Sequence, residues 1–210
     1  MSPEIYLSVM GVVCLGTLMV SLIVSHKQVK DEIAVAIQPD ITSEQMKEAE
    51  QTVKRFLAEK KIPCDASISV VGAALNIREG ETVERILGQA HLSSPDENGI
   101  MVVTFRKGLS QQERTFAFAH ECGHRINHDS VPIDRPAGKH KASAEQLADY
   151  VAAALLMPLD SVYAYLEENR FRTASPRRRI KITKNLCKTY GVDEVVALRR
   201  IREVYMVKEM

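Results

Sequence analysis

The amino-acid sequence predicts an α+β protein with one apolar span ahead of its folded part. Capping boxes that open helices recur along the chain, and a β-rich run lies between two of them. A stretch of twenty residues near the start carries no charge. With 210 residues, the chain has room for one domain and a small appendage, and it can bury enough apolar surface to fold without disulfides.

The apolar span covers residues 5–24 and predicts a transmembrane helix. A helix of this length rises about 30 Å, which matches the hydrocarbon core of a bilayer. A cleaved signal peptide is one alternative, but the span has neither a positive n-region nor a small-x-small cleavage site. A buried core helix is the other alternative. Lys27 and Lys30 follow the span while no Lys or Arg precedes it, so the positive-inside rule predicts a single-pass membrane protein with a cytoplasmic remainder.

The first folded elements follow a linker at residues 26–41. Thr42 and Gln45 form a capping box that opens a helix, which Pro63 ends. Residues 67–71 and 100–105 are predicted strands, and the second of them should be largely buried. Residues 96–99 predict a turn before that strand, whereas residues 82–91 fit a strand or a helix equally well.

The second half of the chain is predicted to be helical. Ser110 and Glu113 form a capping box for a helix that runs through His124. Ser143 and Gln146 form another, for a helix that Pro158 stops. Two short helices separated by Gly191 complete the chain.

Composition excludes several classes of protein. The formal net charge of +1 indicates no particular partner. Four cysteines lie far apart without a CxxC pair, which argues against a disulfide framework and against a cysteine-type zinc site. Free thiols in a reducing compartment are the simplest interpretation.

The predicted metal site begins with the segment HECGH at residues 120–124. On a helix His120 and His124 project from one face, where two imidazoles can hold one zinc ion. Glu121 is placed to take a proton from the attacking water, as in the HExxH motif. A chance match on an exposed helix is the alternative, but the apolar residues 116–119 predict a buried helix, which would not normally carry such residues without partners.

A third protein ligand is expected in an open zinc site. His128 would lie about 12 Å from His120 along a continuous helix, too far for one ion, and is better explained as a surface or supporting residue. Glu145 is the better candidate because it lies in the first turn of the next helix. Asp149, one turn later, can accept the free ring N–H of a zinc-binding histidine. The alternative for Glu145 is an ordinary carboxylate that the helix dipole favours at a helix N-terminus. The alternative for Asp149 is a solvated charge. Cys122 points away from the ligand face and is predicted to pack in the core.

Two segments resemble a known family. RTFAFAHECGH at residues 114–124 resembles the RFTLAHELGH segment of ImmA/IrrE metallopeptidases, and EQLADYVAAALLMP at residues 145–158 resembles their ExxANxFAAxLLMP segment. The resemblance covers roughly residues 67–165 and weakens towards the end. Asp149 stands where asparagine is usual, and Cys122 replaces a common leucine.

This resemblance implies a small thermolysin-like (zincin) α+β fold with a short sheet. It also implies one Zn²⁺ held by His120, His124 and Glu145, with Glu121 as general base. Family members cleave helix-turn-helix repressors, so a repressor is the protein substrate that the resemblance suggests. The usual companion in this family is a DNA-binding domain in the same chain or a neighbouring repressor, whereas this chain carries a predicted membrane anchor.

These interpretations divide the chain into residues 1–25 as anchor, 26–41 as linker, 42–170 as zinc metallopeptidase domain and 171–210 as a basic helical segment. From Arg170 to Arg202 the chain carries eleven Lys or Arg against two acids. The favoured interpretation is a pair of amphipathic helices that complete the core and keep these cations in solvent; nucleic acid or anionic lipid is the alternative partner.

Zinc-dependent endoproteolysis is the predicted function. Its alternatives are a non-catalytic zinc-containing regulator acting on a repressor, and an outward-facing envelope protease. The oxyanion would need a donor besides zinc, and His128, Tyr150 and Tyr163 are the candidates that the sequence offers.

Overall fold

The computed structural model describes residues 41–86, 88–127 and 139–209. Seven α-helices and three strands occur in these residues. In chain order they are α1 (Ser43–Glu59), α2 (Ile68–Ala74), β1 (Ile77–Val83), β2 (Ala90–Leu92), β3 (Met101–Arg106), α3 (Gln111–Asn127), α4 (Lys139–Leu156), α5 (Leu159–Glu168), α6 (Pro176–Tyr190) and α7 (Glu194–Lys208). The α+β class is therefore confirmed.

Helix α1 begins at the predicted capping box. The Thr42 hydroxyl accepts the Gln45 N–H, and the Gln45 side chain accepts the Thr42 N–H at 2.7 Å, which satisfies two of the free donors at the helix start. The face that packs on the core carries buried Met46, Ala49 and Val53. This helix lies against α3 and α4, which pack closely on each other and form the centre of the fold.

The sheet has the order β1-β3-β2. β1 runs parallel to β3, from the pair Ile77–Met101 onwards, and β2 pairs antiparallel with β3. Met101, Val103 and Phe105 are buried, and the positions between and after them are partly or fully exposed to solvent. This strand is therefore half-buried rather than largely buried as predicted.

The turn before β3 is confirmed. The Asp96 carboxylate accepts the N–H groups of Asn98 and Ile100, each at 2.8 Å, and Gly99 has a φ of 74°. An Asx-type turn of this kind needs a short acceptor side chain and a residue that tolerates positive φ. The undecided segment 82–91 contains the end of β1 and the start of β2.

The predicted strand at residues 67–71 is wrong, because this segment enters helix α2. Val71 and Gly72 are buried in it, and a Cβ on Gly72 would lie 2.5 Å from the Phe118 ring. β-branched residues favour strands only weakly, and packing against α3 overrides that preference. Helix α4 also differs from the prediction, since it begins at Lys139 instead of at Ser143.

The C-terminal helices build a second apolar cluster together with α5. Its buried members from α6 and α7 include Ile182, Leu186 and Ile201, as expected of helices that complete a core. Gly191 ends α6 in the left-handed conformation, with a φ of 64°. The cations of α6 at residues 177–179 are exposed as predicted, but Arg200 of α7 has no exposed surface, so the predicted solvent exposure is wrong for that residue.

Three helices meet at Asp160, whose carboxylate lies 2.9 Å from the Lys54 amine and 2.6 Å from the Lys208 amine. Hydrogen bonds from these lysines lower the Asp160 pKa to about 2. A lowered carboxyl pKa stabilises the fold above the unfolded value, and that stabilisation is lost as the pH falls towards 2.

We therefore expect Asp160→Asn to lower the free energy of unfolding at pH 7 by less than about 1 kcal/mol, because the pair is largely exposed. The difference from wild type should vanish as the pH approaches the Asp160 pKa of about 2. Urea unfolding at several pH values would measure it. Glu48→Gln, on the exposed side of α1, is the control; a pH-independent difference for Asp160→Asn would contradict the expectation.

The predicted transmembrane span at residues 5–24 and the linker at 26–41 lie outside the described residues, apart from Ile41. Within the described part, no single helix combines the length and apolar character needed to cross a bilayer. One pair of helices, bent by 66° at the break between them, has the length and composition of a membrane span when the two are taken together.

Candidate metal centre

Helix α3 carries the first part of the site. The Ser110 hydroxyl accepts the Glu113 N–H at 3.2 Å, and the Glu113 carboxylate accepts the Ser110 N–H at 2.7 Å, which confirms the predicted capping box. Glu121 and His124 are buried, with 8% and 7% of their surface exposed. The helix therefore presents polar groups inside the fold, where they need partners.

Helix α4 supplies a partner for both histidines. His120 Nε2 lies 3.0 Å from His124 Nε2, and the Glu145 Oε2 atom lies 3.2 Å from the first and 3.3 Å from the second. Four ligands at 2.0–2.1 Å from a tetrahedral zinc stand about 3.3 Å from one another. The three atoms thus have the spacing of one face of a zinc tetrahedron, and the group could hold a metal ion.

Asp149 orients the first histidine. Its Oδ1 atom lies 2.7 Å from His120 Nδ1, so the ring donates Nδ1–H and leaves the Nε2 lone pair facing His124 and Glu145. Burial opposes protonation of His120, but the hydrogen bond and charge of Asp149, followed by the charges of Glu121 and Glu145, raise the His120 pKa.

A close contact holds the two ligand-bearing helices together. A Cβ on Gly123 would lie 2.6 Å from the Ala148 carbonyl oxygen, which is far inside van der Waals contact. Only glycine lets α3 and α4 approach this closely. The element that Gly123 meets is the α4 backbone three residues after Glu145.

Comparison with known proteins identifies the family. A family model described as the IrrE N-terminal-like domain, Peptidase_M78, matches residues 81–202, which is more than half of the chain. The chain belongs to this peptidase family. A comparison with curated proteins gave no match. The ImmA/IrrE resemblance of the two motifs is thereby confirmed, and the match extends through α6 into α7.

One residue at the site of this IrrE-like domain was not predicted from the sequence. Arg199 of α7 donates to Asp149 Oδ2 at 3.0 Å, and its Nε lies 3.2 Å from the Glu203 carboxylate. Burial opposes ionisation of Asp149, but the His120 hydrogen bond and then the Arg199 charge lower the Asp149 pKa. Nothing in the motif spacing indicates Arg199, because it lies fifty residues after Asp149 in the sequence.

The remaining predicted residues fall in different places. Cys122 is fully buried, and burial raises its pKa to about 12, in keeping with a packing role. Tyr150 does not fit an oxyanion donor, since it is buried and its hydroxyl donates to Glu50 at 2.9 Å. Tyr163 packs its ring against Tyr205. His128 lies outside the described residues.

We expect Asp149→Ala to weaken zinc binding by about 10- to 100-fold, because the His120 ring loses the acceptor that sets its tautomer. Competition with a chromophoric chelator would measure the affinity. Asp149→Asn keeps an acceptor at the same position and should lose less. Equal losses in the two variants would show that the charge, rather than the hydrogen bond, is what the site needs.

Proposed function

We propose that the chain is a zinc-dependent endopeptidase. Three ligand atoms from His120, His124 and Glu145 at mutual distances of 3.0–3.3 Å carry this proposal. Membership of a peptidase family supports it. Three protein ligands leave a fourth position open, which is typical of catalytic zinc sites and unlike closed structural ones.

Zinc, when bound, would act as a Lewis acid that polarises the scissile carbonyl and raises the acidity of water. Glu121 supplies the proton transfer: its carboxylate accepts a proton from the attacking water and delivers it to the amine of the leaving product. Glu121 directly follows His120 on α3 and is buried, and its charge acts on that histidine. Glu121 is therefore a buried carboxylate beside a ligand on the same helix, which is the position that this step requires.

Three other residues position the groups of the site. Asp149 holds the His120 tautomer, Arg199 holds Asp149, and Gly123 sets the distance between α3 and α4. The substrate class that we propose is a regulatory protein, with a helix-turn-helix repressor as the form suggested by the family resemblance. We also propose that residues 5–24 tether the enzyme to the membrane, with the peptidase domain in the cytoplasm.

The decisive experiment compares wild type with Glu121→Gln. We expect Glu121→Gln to bind one zinc ion per chain as wild type does and to lose proteolysis by at least about 100-fold, because general-base catalysis is typically worth that much. Zinc content by atomic absorption and cleavage of a denatured protein substrate would measure the two quantities. Proteins that accumulate in cells expressing the variant identify candidate substrates.

Two results would contradict the proposal. Undiminished proteolysis by Glu121→Gln would remove Glu121 from the reaction. Zinc bound by wild type without any cleavage would favour a non-catalytic regulator. His124→Ala serves as the matched control, because it removes a ligand from the same helix and should lose both zinc and activity.

A reporter fused to the C-terminus tests the proposed orientation against an outward-facing protease.

A further inference from the structure

A cavity of about 290 Å³ lies beside the candidate metal centre, between the first half of α3 and the start of α7. Its walls include Glu113, Phe116, Asp149, Asp193, Val195 and Arg199. Glu113 and Phe116 lie on the face of α3 that carries His120, because three, four and seven residues separate positions on one helical face. Asp149 connects the cavity to the centre, since it also bonds His120 at 2.7 Å.

This position suits a side chain of the substrate close to the scissile bond. Only the His120 ring separates the Asp149 wall of the cavity from the ligand atom Nε2. Arg199 is the cation in this wall, and its guanidinium is already engaged by Asp149 at 3.0 Å. A ligand in the cavity therefore meets the remaining two carboxylates, those of Glu113 and Asp193, without a cation paired to them within the lining.

Both carboxylates cap helices. Glu113 accepts the Ser110 N–H at 2.7 Å, and hydrogen bonds with Ser110 lower the Glu113 pKa despite an opposing contribution of burial. Asp193 accepts the Val196 N–H at 2.8 Å. Arg106 also acts on Glu113, but it is exposed on β3 and is not part of the cavity wall. The lining of the cavity thus contains three acidic side chains and one guanidinium.

The apolar part of the wall limits the choice of ligand further. Phe116 supplies a ring, and Val195 has 63% of its surface exposed, which is high for a valine. A lysine or arginine side chain can cover such surface with its aliphatic stem and place its charge among carboxylates. A leucine would bring no opposite charge to these carboxylates, and a glutamate would be repelled by them.

We propose that this cavity binds a lysine or arginine side chain of the substrate, so that the enzyme prefers a basic residue next to the bond it cleaves. The position of that residue relative to the bond rests on the proposed peptidase function. The binding of a basic side chain is a property of the cavity itself and can be measured without cleavage.

The test uses the zinc-loaded full chain in detergent and a random peptide library. In the first arm wild type cleaves the library, and sequencing of the products gives the residue frequencies around the cut. In the second arm Glu121→Gln retains peptides without cutting them, and the retained peptides are sequenced. We expect lysine and arginine to be enriched about tenfold over leucine and glutamate at one position in both arms.

Glu113→Gln combined with Asp193→Asn is the specificity variant, because both replacements can still accept the capping N–H while the charge is removed. It should lose the enrichment in both arms, and its zinc content should equal that of wild type. Glu113→Lys with Asp193→Lys should favour acidic residues. Glu44→Gln, in the first turn of α1, is the matched control for loss of one capping-region carboxylate and should change nothing.

The two arms separate the two proposals. Cleavage without a basic preference overturns the cavity assignment and leaves the peptidase function intact. Retention of basic peptides without any cleavage supports the cavity and contradicts the function. Absence of enrichment in both arms, or enrichment that survives the specificity variant, overturns the cavity assignment.

Discussion

Replacing Arg200 with methionine is expected to lower the free energy of unfolding by about 3–5 kcal/mol, because it leaves the buried Glu50 carboxylate without its cation. Arg200 has no exposed surface, and Glu50 and Glu203 have 6% and 2%. The Arg200 guanidinium lies 2.7 Å from the Glu50 carboxylate and 3.8 Å from that of Glu203, and its Nε donates to the Met157 carbonyl at 2.9 Å. Denaturant unfolding of the purified chain would measure the loss.

A second variant identifies the cause. Arg200→Met together with Glu50→Met removes both charges, and it should be more stable than Arg200→Met alone because no unpaired charge remains at that pair. Arg202→Met, an exposed position on the same helix, should stay within about 0.5 kcal/mol of wild type. If the single and double variants were equally unstable, lost packing rather than unpaired charge would explain the effect.

The second large effect is expected from Gly123→Ala. Its Cβ would fall 2.6 Å from the Ala148 carbonyl oxygen, and a backbone atom cannot swing away as a side chain can. Helices α3 and α4 must therefore separate, at a cost of about 1–3 kcal/mol. Since Glu145 lies on α4 and the two histidines lie on α3, separation also opens the ligand set, and we expect zinc affinity to fall by at least about tenfold.

Cys122→Ala is the matched control for Gly123→Ala. Cys122 directly precedes Gly123 on α3 and is fully buried, so this substitution loses packing without pushing α4 away. We expect it to lower the melting temperature and to leave zinc affinity unchanged. Melting curves and chelator competition on both variants separate stability from metal binding. Unchanged zinc affinity in Gly123→Ala would show that the close contact is not what positions Glu145.

The sequence predicted the local features that short-range chemistry decides. Capping boxes at Thr42 and Ser110 specify their helix starts, because the side chains that satisfy the first N–H groups lie within three residues. The spacing of His120 and His124 specified the ligand face in the same way. Residues 67–71 were predicted wrongly, because packing against Phe118 outweighed the preference of their β-branched side chains.

Long-range contacts were decided only by the tertiary structure. Glu145 and Asp149 could be proposed as partners of the histidines because they share a short helical pattern and a family motif, but their distances depend on how Gly123 meets α4. Arg199 and Arg200 looked like two more cations in a basic segment. Folding places one on Asp149 and buries the other against Glu50, and no periodicity along the chain encodes contacts between residues so far apart.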